Sequence, residues 1–318
     1  SPLVAQADVW AAVADAARTL DQCHAVVIRQ SGQTVLSRVF RGPGIARAVP
    51  IKSVSKTIVA ALTGVALDRA EISSIDARLG DVAPRLIPQG ADAGVADITI
   101  ENLITMQAGL ERTSGKNYGG WVSSSNWVAN ALSRPFVAKP GTRMLYSTGS
   151  FHILGAVLAD VSGDTLLGLA RRRLGAPMGI EIPAWTRDPQ GRYLGGNEMA
   201  ITLEGMVRFG EMYRQGGAFE NVQVLSPDWV AKSFQIRTRS PFSGLSYGYG
   251  WFLGDVRGVN YALARGYGGQ IICVIPELEM TLALTSDPTR PARSGGYFGD
   301  LIRLIEQVVV PVATAQMA

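Results

Sequence analysis

The sequence is poor in the residues that most metal and redox sites require. Its 318 residues include two histidines, His24 and His152, and two cysteines, Cys23 and Cys273. None of these has the spacing of a zinc site, and cysteines about 250 positions apart form neither a redox pair nor a disulfide framework. We therefore expect two buried free thiols and chemistry that uses no metal and no organic cofactor.

Long apolar runs and dense charge are also scarce. The longest apolar run, residues 58–67, is interrupted by Thr63 and Gly64 and is well short of the roughly 20 residues that span a bilayer. The net charge is +4, and the one dense cluster, Arg171-Arg172-Arg173, ends a predicted helix, where cations suit the helix dipole. We therefore expect no membrane span and no nucleic-acid partner.

What is present supports a folded chain. Hydrophobic residues make up 47% of the sequence and charged residues 18%, which provides a sizeable core and excludes a disordered or fibrous protein. Near the N-terminus, Ala5-Gln6-Ala7 resembles the small-x-small end of an export signal. We therefore expect export to the periplasm or the medium, and a cytoplasmic location is the alternative.

The predicted elements run from strands to helices and back to strands. Periodicity predicts helices over residues 7–20, 53–70, 99–107, 125–132, 150–161, 165–174, 202–215 and 299–309. It predicts a hairpin over 25–40 and strands over 247–253, 261–264, 270–275 and 280–285.

This order predicts an α/β (α+β) fold in which an antiparallel sheet, built from both termini, is flanked by helices. A mainly helical domain, residues 58–234, is expected as an insertion. The sheet domain is then discontinuous, residues 1–57 and 235–318, and the active site lies between the two domains.

One Ser-x-x-Lys segment, Ser53-Val54-Ser55-Lys56, opens the long apolar helix. The i, i+3 spacing places Ser53 and Lys56 on one helix face, while Ser55 points elsewhere. At a helix N-terminus, Ser53 has a free backbone N–H that can stabilise an oxyanion. A lysine in apolar surroundings loses basicity and can take the serine proton. The alternative is a capping serine followed by a snorkelling surface lysine.

Further segments extend this pattern in a consistent order: residues 99–110, Pro140-Gly141-Thr142 with Tyr146-Ser147, Tyr247-Gly248-Tyr249-Gly250-Trp251, and Gly266-Tyr267-Gly268-Gly269-Gln270 with Pro276-Glu277. Over about residues 25–305 the chain resembles the class C β-lactamase, penicillin-binding D-alanyl-D-alanine peptidase and serine esterase family. The glycine-rich last segment is most similar to the carboxylesterase and 6-aminohexanoate-oligomer hydrolase branch.

The resemblance implies roles for residues outside the first motif. Tyr146 becomes a second general acid–base group that shares a proton with Lys56. The oxyanion hole is expected from the backbone N–H groups of Ser53 and Tyr267. No cofactor is implied.

The same resemblance suggests substrate contacts at Tyr118, Trp121, Thr148 and Gly268, and it also marks two departures. Thr148 stands where the family's Tyr-x-Asn motif has asparagine, and the family's Lys/His-Thr-Gly strand motif is replaced by Arg265-Gly266-Tyr267-Gly268. Arg265 either faces the site or points away from it.

A rival nucleophile, Ser246, lies in Gly244-Leu245-Ser246-Tyr247-Gly248, which has the spelling of an α/β-hydrolase elbow. That elbow requires a helix after the serine and a later histidine. A strand is predicted here instead, and both histidines come earlier. His152, in a predicted helix with apolar neighbours, is interpreted as structural.

The sequence therefore predicts a serine hydrolase that cleaves a small-molecule ester or amide through an acyl-enzyme on Ser53. An esterase or linear-amide hydrolase is the first interpretation. A true β-lactamase or D-alanyl-D-alanine peptidase is the alternative within the enzyme class. A non-catalytic penicillin-binding-type sensor is the alternative outside it.

Overall fold

The computed structural model describes the backbone of residues 2–318 and the side chains from residue 9 onward. The side chains of Ala5-Gln6-Ala7 therefore lie outside the described part. The α-helices are α1 (Pro2–Arg18), α2 (Val54–Asp68), α3 (Leu79–Val82), α4 (Ile100–Ile104), α5 (Tyr118–Val122), α6 (Trp127–Leu132), α7 (Thr148–Ser162), α8 (Leu166–Ala170), α9 (Ala176–Met178), α10 (Leu203–Arg214), α11 (Pro227–Ser233), α12 (Tyr297–Arg303) and α13 (Val310–Met317).

The strands are β1 (Cys23–Gln30), β2 (Gln33–Val39), β3 (Val49–Lys52), β4 (Met199–Ile201), β5 (Ala218–Phe219), β6 (Val222–Gln223), β7 (Thr238–Arg239), β8 (Ser246–Tyr247), β9 (Phe252–Val256), β10 (Val259–Gly266), β11 (Gln270–Ile275) and β12 (Met280–Ser286). Short π-helical segments, Arg171–Gly175 and Leu304–Val309, continue the chain between α8 and α9 and between α12 and α13.

The main sheet joins the two ends of the chain. Within residues 2–318 it has eight antiparallel strands in the order β2-β1-β12-β11-β10-β9-β8-β7. The N-terminal hairpin pairs with the last strand, so that Ile28 lies between Leu36 and Leu282. The predicted antiparallel sheet from both termini, flanked by helices, is confirmed.

Helix α2 lies between this sheet and the helical part of the protein. It contacts β10 and β11 of the sheet and α7 among the helices. Its residues from Val54 to Ala66 are all buried. A helix covered on every side has no polar face, which explains the nearly continuous apolar sequence.

Two predicted elements differ from the structure. The strand expected over residues 247–253 is interrupted, because β8 ends at Tyr247 and β9 begins at Phe252. Between them Gly250 adopts a left-handed φ of +84°, and its carbonyl accepts a 2.7 Å hydrogen bond from the Thr57 hydroxyl on α2. That bond turns the backbone away from the ladder. The C-terminal helical segment also continues beyond residue 309, to Met317.

Among the described residues, no single helix is long and apolar enough to cross a bilayer. One pair, α7 with the segment Leu166–Met178, meets the length and composition criteria jointly, although it is bent by 82°.

Candidate active site

Ser53 lies at the junction between a strand and the buried helix. β3 ends at Lys52, whose left-handed φ of +52° turns the chain sharply, and α2 begins one residue after Ser53. β4 pairs with β3 and brings the segment after residue 195 beside the junction. The serine is only partly buried, so its hydroxyl can be reached from outside.

Lys56 is 2% exposed and makes three hydrogen bonds. Its Nζ lies 3.0 Å from Ser53 Oγ, 3.1 Å from Thr148 Oγ1 and 2.9 Å from the Gly196 carbonyl oxygen. Burial lowers the pKa of the amine below its ordinary value, and the neighbouring Tyr146 opposes that shift. The geometry excludes a snorkelling surface lysine.

The three partners allow a neutral amine to be oriented as a base. A neutral amine has two N–H groups and one lone pair. The Gly196 carbonyl can only accept a hydrogen bond, so it takes one N–H of the amine. Thr148 Oγ1 is close enough to accept the second. The lone pair is then left for the Ser53 hydroxyl, which is the orientation that a base for that proton requires.

Tyr146 lies on the other side of the lysine. Lys56 Nζ is 4.7 Å from the centre of the Tyr146 ring. Burial raises the pKa of the phenol, but the Lys56 charge, close polar contact with Ser53 and Lys56, and the Arg265 charge outweigh burial and lower it overall. Both pKa values are therefore lowered, and the neighbouring amine and phenol can share one proton.

Thr148, the first residue of α7, is held by a polar cluster from the 113–114 segment. The Thr148 amide donates to Ser114 Oγ at 2.8 Å, and the two hydroxyls are 3.1 Å apart. The Gly149 amide donates to Thr113 Oγ1 at 2.8 Å. These hydroxyls satisfy amides at the start of α7 and fix the position of Thr148 beside Lys56.

The end of β10 passes directly beside the serine. A Cβ at Gly266 would lie 2.3 Å from the Ile51 carbonyl oxygen and 3.1 Å from the Ser53 nitrogen, so only glycine allows this approach. Among the described backbone and side-chain groups, neither the Ser53 amide nor the Tyr267 amide has an acceptor for its hydrogen bond. Two neighbouring amides without acceptors are what an oxyanion hole requires.

A cavity of about 460 Å³ opens onto Ser53. Tyr146, Arg265 and Tyr267 line it, and no acidic side chain of the described residues does. The Arg265 guanidinium stacks 3.4 Å from the centre of the Phe298 ring and donates to the Ala292 carbonyl at 3.3 Å. Burial lowers the pKa of Arg265 to about 10.

None of the four predicted substrate contacts lines this cavity. Trp121 is fully buried, and its indole N–H donates to the Trp127 carbonyl at 2.9 Å, so its prediction as a pocket residue is wrong. Gly268 packs against the Asp287 carbonyl, where a Cβ would lie at 2.4 Å. Tyr118 is partly buried and accepts a 2.9 Å hydrogen bond from Asn197 instead.

Thr148 is also corrected. It is 3% exposed, and its hydroxyl is occupied by Lys56 and Ser114 rather than open to a substrate. Neither Ser114 nor Gly196 was predicted from the sequence to be part of the site. No local motif marks them, although the Gly195-Gly196 pair is a signal of close backbone approach.

Both cysteines, which are possible metal ligands, lie within the described residues. Cys23 and Cys273 are both buried and free, as expected, and burial raises the pKa of Cys23 to about 12. No group of three or more His, Cys, Asp or Glu side chains in the described part of the chain could hold a metal ion.

The sheet topology and the Ser53–Lys56–Tyr146 cluster together define a β-lactamase/transpeptidase-like fold. The family described as Beta-lactamase matches residues 15–307, and the chain belongs to that family of serine hydrolases. A curated relative, "Penicillin-binding protein 4" of Amycolatopsis lactamdurans, is 26% identical over an alignment of 320 residues, and the match covers 83% of this chain and 79% of the relative.

Solved structures support the same fold. A putative 6-aminohexanoate-dimer hydrolase from Bacillus anthracis superposes with a TM-score of 0.78 and 17% identity, covering 93% of this chain and 80% of its own. A family VIII carboxylesterase superposes with a TM-score of 0.73 and 17% identity, covering 95% and 97%. The resemblance inferred from the sequence motifs is confirmed.

Proposed function

We propose that the protein hydrolyses an ester or linear amide of a small molecule through an acyl-enzyme on Ser53. The observation that carries the proposal is the buried Lys56 amine, 3.0 Å from Ser53 Oγ, with its other two bonds directed to Thr148 and Gly196. This arrangement leaves a lone pair for the serine proton.

In the acylation step, Ser53 Oγ forms a bond to the substrate carbonyl carbon while its proton moves to Lys56. The negative charge on the carbonyl oxygen is stabilised by the Ser53 and Tyr267 amides. As the bond to the leaving group breaks, Tyr146 supplies a proton to the departing oxygen or nitrogen, and Lys56 returns a proton to Tyr146. Water then attacks the acyl carbon and gives its proton to the same pair. The bond to Ser53 Oγ breaks, the pair returns a proton to that oxygen, and the carboxylic acid is released.

The site favours esters and linear amides over β-lactams, because it lacks two polar contacts of the family's motifs. The hydroxyl of Thr148 is occupied, so no side chain at this position is free to hold a substrate amide. The segment Arg265-Gly266-Tyr267-Gly268 replaces the family's Lys/His-Thr-Gly strand motif, and Arg265 is held by Phe298 and Ala292. The nucleophile, its base and the two amides suffice for an activated ester.

A D-alanyl-D-alanine peptidase or β-lactamase is the second candidate. It is supported by the similarity to a penicillin-binding protein over most of both chains. A sensor without turnover is disfavoured, because Ser53, Lys56 and Tyr146 retain the contacts that acyl transfer needs.

The test is turnover of chromogenic esters, linear amides and β-lactams by the wild type and by S53A and S55A. Ester or amide hydrolysis that S53A abolishes and S55A retains supports the proposal. Turnover by S53A at the wild-type rate contradicts it. Covalent labelling without turnover of any substrate would favour the sensor.

A further inference from the structure

A second ionisable pair lies buried behind Lys56 and takes no part in the reaction described above. His152, on the buried side of α7, is fully buried, and its Nε2 lies 2.9 Å from Oδ2 of Asp188. The rings of Trp121 and Trp127 pack edge-on against the imidazole, at 5.7 and 5.6 Å between centres. The pair is therefore shielded from water.

The hydrogen bonds determine which imidazole nitrogen carries the proton. The Gly195 amide lies 3.1 Å from Nδ1 and can only donate, so Nδ1 is the acceptor. The proton is then on Nε2 and is donated to Asp188. Burial lowers the pKa of His152, which keeps the ring neutral even though Asp188 opposes the shift.

Asp188 is itself fixed. Its Oδ1 accepts from the backbone amides of Gln190 and Arg192 at 3.0 and 2.8 Å, which leaves Oδ2 for the histidine. The Arg192 guanidinium is 3.8 Å from Oδ2 and is the other charged group beside the pair. Burial raises the pKa of the Asp188 carboxyl, but the bonds from His152 and Arg192 outweigh burial and lower it. Asp188 thus holds one tautomer of His152.

This tautomer is connected to Lys56 through two consecutive glycines. The Gly195 amide donates a hydrogen bond to His152. The carbonyl of the next residue, Gly196, accepts the 2.9 Å hydrogen bond from Lys56. Both glycines lie directly on α7: a Cβ would be 2.5 Å from the Phe151 carbonyl oxygen at Gly195 and 2.9 Å from Phe151 Cβ at Gly196. The acceptor of the Lys56 bond is therefore one residue away from the amide that His152 holds.

We propose that His152 is a positioning residue for the lysine base, and that Asp188 acts by fixing its tautomer. The neutral imidazole holds Gly195, and Gly196 in turn orients Lys56 toward Ser53. This role rests on the proposed function of Ser53 and Lys56. It gives a role to a histidine that takes no part in the nucleophilic attack or in the proton transfer.

Two substitutions separate the contacts of the histidine. In H152N, the amide oxygen can occupy the place of Nδ1 and accept from Gly195, while the contact with Asp188 is lost. In H152Q, the longer amide can donate to Asp188, while the acceptor for Gly195 is lost. D188N should resemble H152Q, because its NH₂ group would face Nε2 and move the imidazole proton to Nδ1, opposite the Gly195 amide.

The readouts are kcat, KM and the pH dependence of kcat/KM for an ester, together with the thermal midpoint. We expect kcat to fall about tenfold or more in H152Q and D188N with little change in KM, and H152N to recover most of it. Loss of the Gly196 acceptor destabilises the ammonium form of Lys56 and lowers its pKa. The acid limb, which is the low-pH side of the kcat/KM profile, should therefore move to lower pH. W127F, which removes packing against the ring, should lower the thermal midpoint without moving that limb.

Equal kcat losses in H152Q and H152N, with no shift of the acid limb, would overturn the proposal. A shift of the acid limb in W127F as large as that in H152Q would also overturn it. If H152Q does not fold, D188N against H152N decides the matter by the same criteria. S53A is assayed in parallel: if it retains activity, the proposed function fails, whereas an inactive S53A beside unaffected histidine variants removes only the role of His152.

Discussion

The guanidinium carbon of Arg265 lies 3.4 Å from the centre of the Phe298 ring, and this stacking holds a positive charge in the cavity that Tyr146 also lines. A guanidinium is weakly hydrated for a cation and stacks favourably on an aromatic face, so it can be held without a carboxylate partner. The charge is one of the influences that lower the pKa of Tyr146.

We expect R265Q to shift the pH profile of ester hydrolysis. Removing a positive charge raises the pKa of the nearby phenol, so the limb of kcat/KM that reports Tyr146 should move to higher pH, by roughly half a unit or more. R265K, which keeps the charge without the planar stack, is the control and should remain near the wild type. If this limb of the pH profile does not move in R265Q, Arg265 does not influence the proton transfer.

G266A should damage the nucleophile without touching a polar side chain. The added Cβ would lie 2.3 Å from the Ile51 carbonyl oxygen, so β10 and the Ser53 junction must move apart. We expect the rate of fluorophosphonate labelling to fall at least about tenfold, because the serine and its oxyanion donors lose their alignment. G295A is the matched control, since a Cβ there meets nothing within 4 Å. Equal labelling of both variants would contradict the proposed oxyanion geometry.

K56R tests whether the lysine is a base or a fixed charge. Arginine keeps the cation but does not release its proton at working pH. We expect kcat to fall by roughly 10²–10⁴-fold, the usual contribution of a general base. K232R, at an exposed pair with Asp228, is the control and should be unaffected. Wild-type turnover by a folded K56R would remove Lys56 from the mechanism.

Substrate preference follows from the polar contacts that the site does not offer. A cephalosporin finds no free asparagine at the position of Thr148 and no Lys-Thr-Gly strand for its carboxylate. Each lost hydrogen bond of this kind costs about 1.5–3 kcal/mol, or tenfold or more. We expect kcat/KM for a short-chain p-nitrophenyl ester to exceed that for a chromogenic cephalosporin at least about a hundredfold. Comparable values would favour the β-lactamase alternative.

The parts of the site that the sequence predicted are those that lie close along the chain. Ser53 and Lys56 are one helical turn apart, so periodicity alone places them on one face of α2. Tyr146 was predicted only through family resemblance, because nothing in its own neighbourhood distinguishes a catalytic phenol from a packed one.

The contacts with Gly196 and His152 could not be predicted in this way. Gly196 lies 140 positions from Lys56, and the Gly195 amide reaches an imidazole 43 positions earlier. Such contacts depend on how a loop packs on α7, which no periodicity encodes. Trp121 was misjudged for the same reason, since its burial against Trp127 and His152 is a property of the assembled core.

The most direct test of the account is to locate the covalent adduct. Fluorophosphonate forms a bond from phosphorus to the nucleophilic oxygen and releases fluoride, and peptide mapping by mass spectrometry identifies the residue that carries it. The rival serines are Ser55, which accepts a 3.1 Å bond from the Met199 amide, and Ser246 in β8. We predict one adduct per chain, on Ser53, retained in S55A and absent from S53A. An adduct on Ser55 or Ser246, or hydrolysis that persists in S53A, would contradict the account.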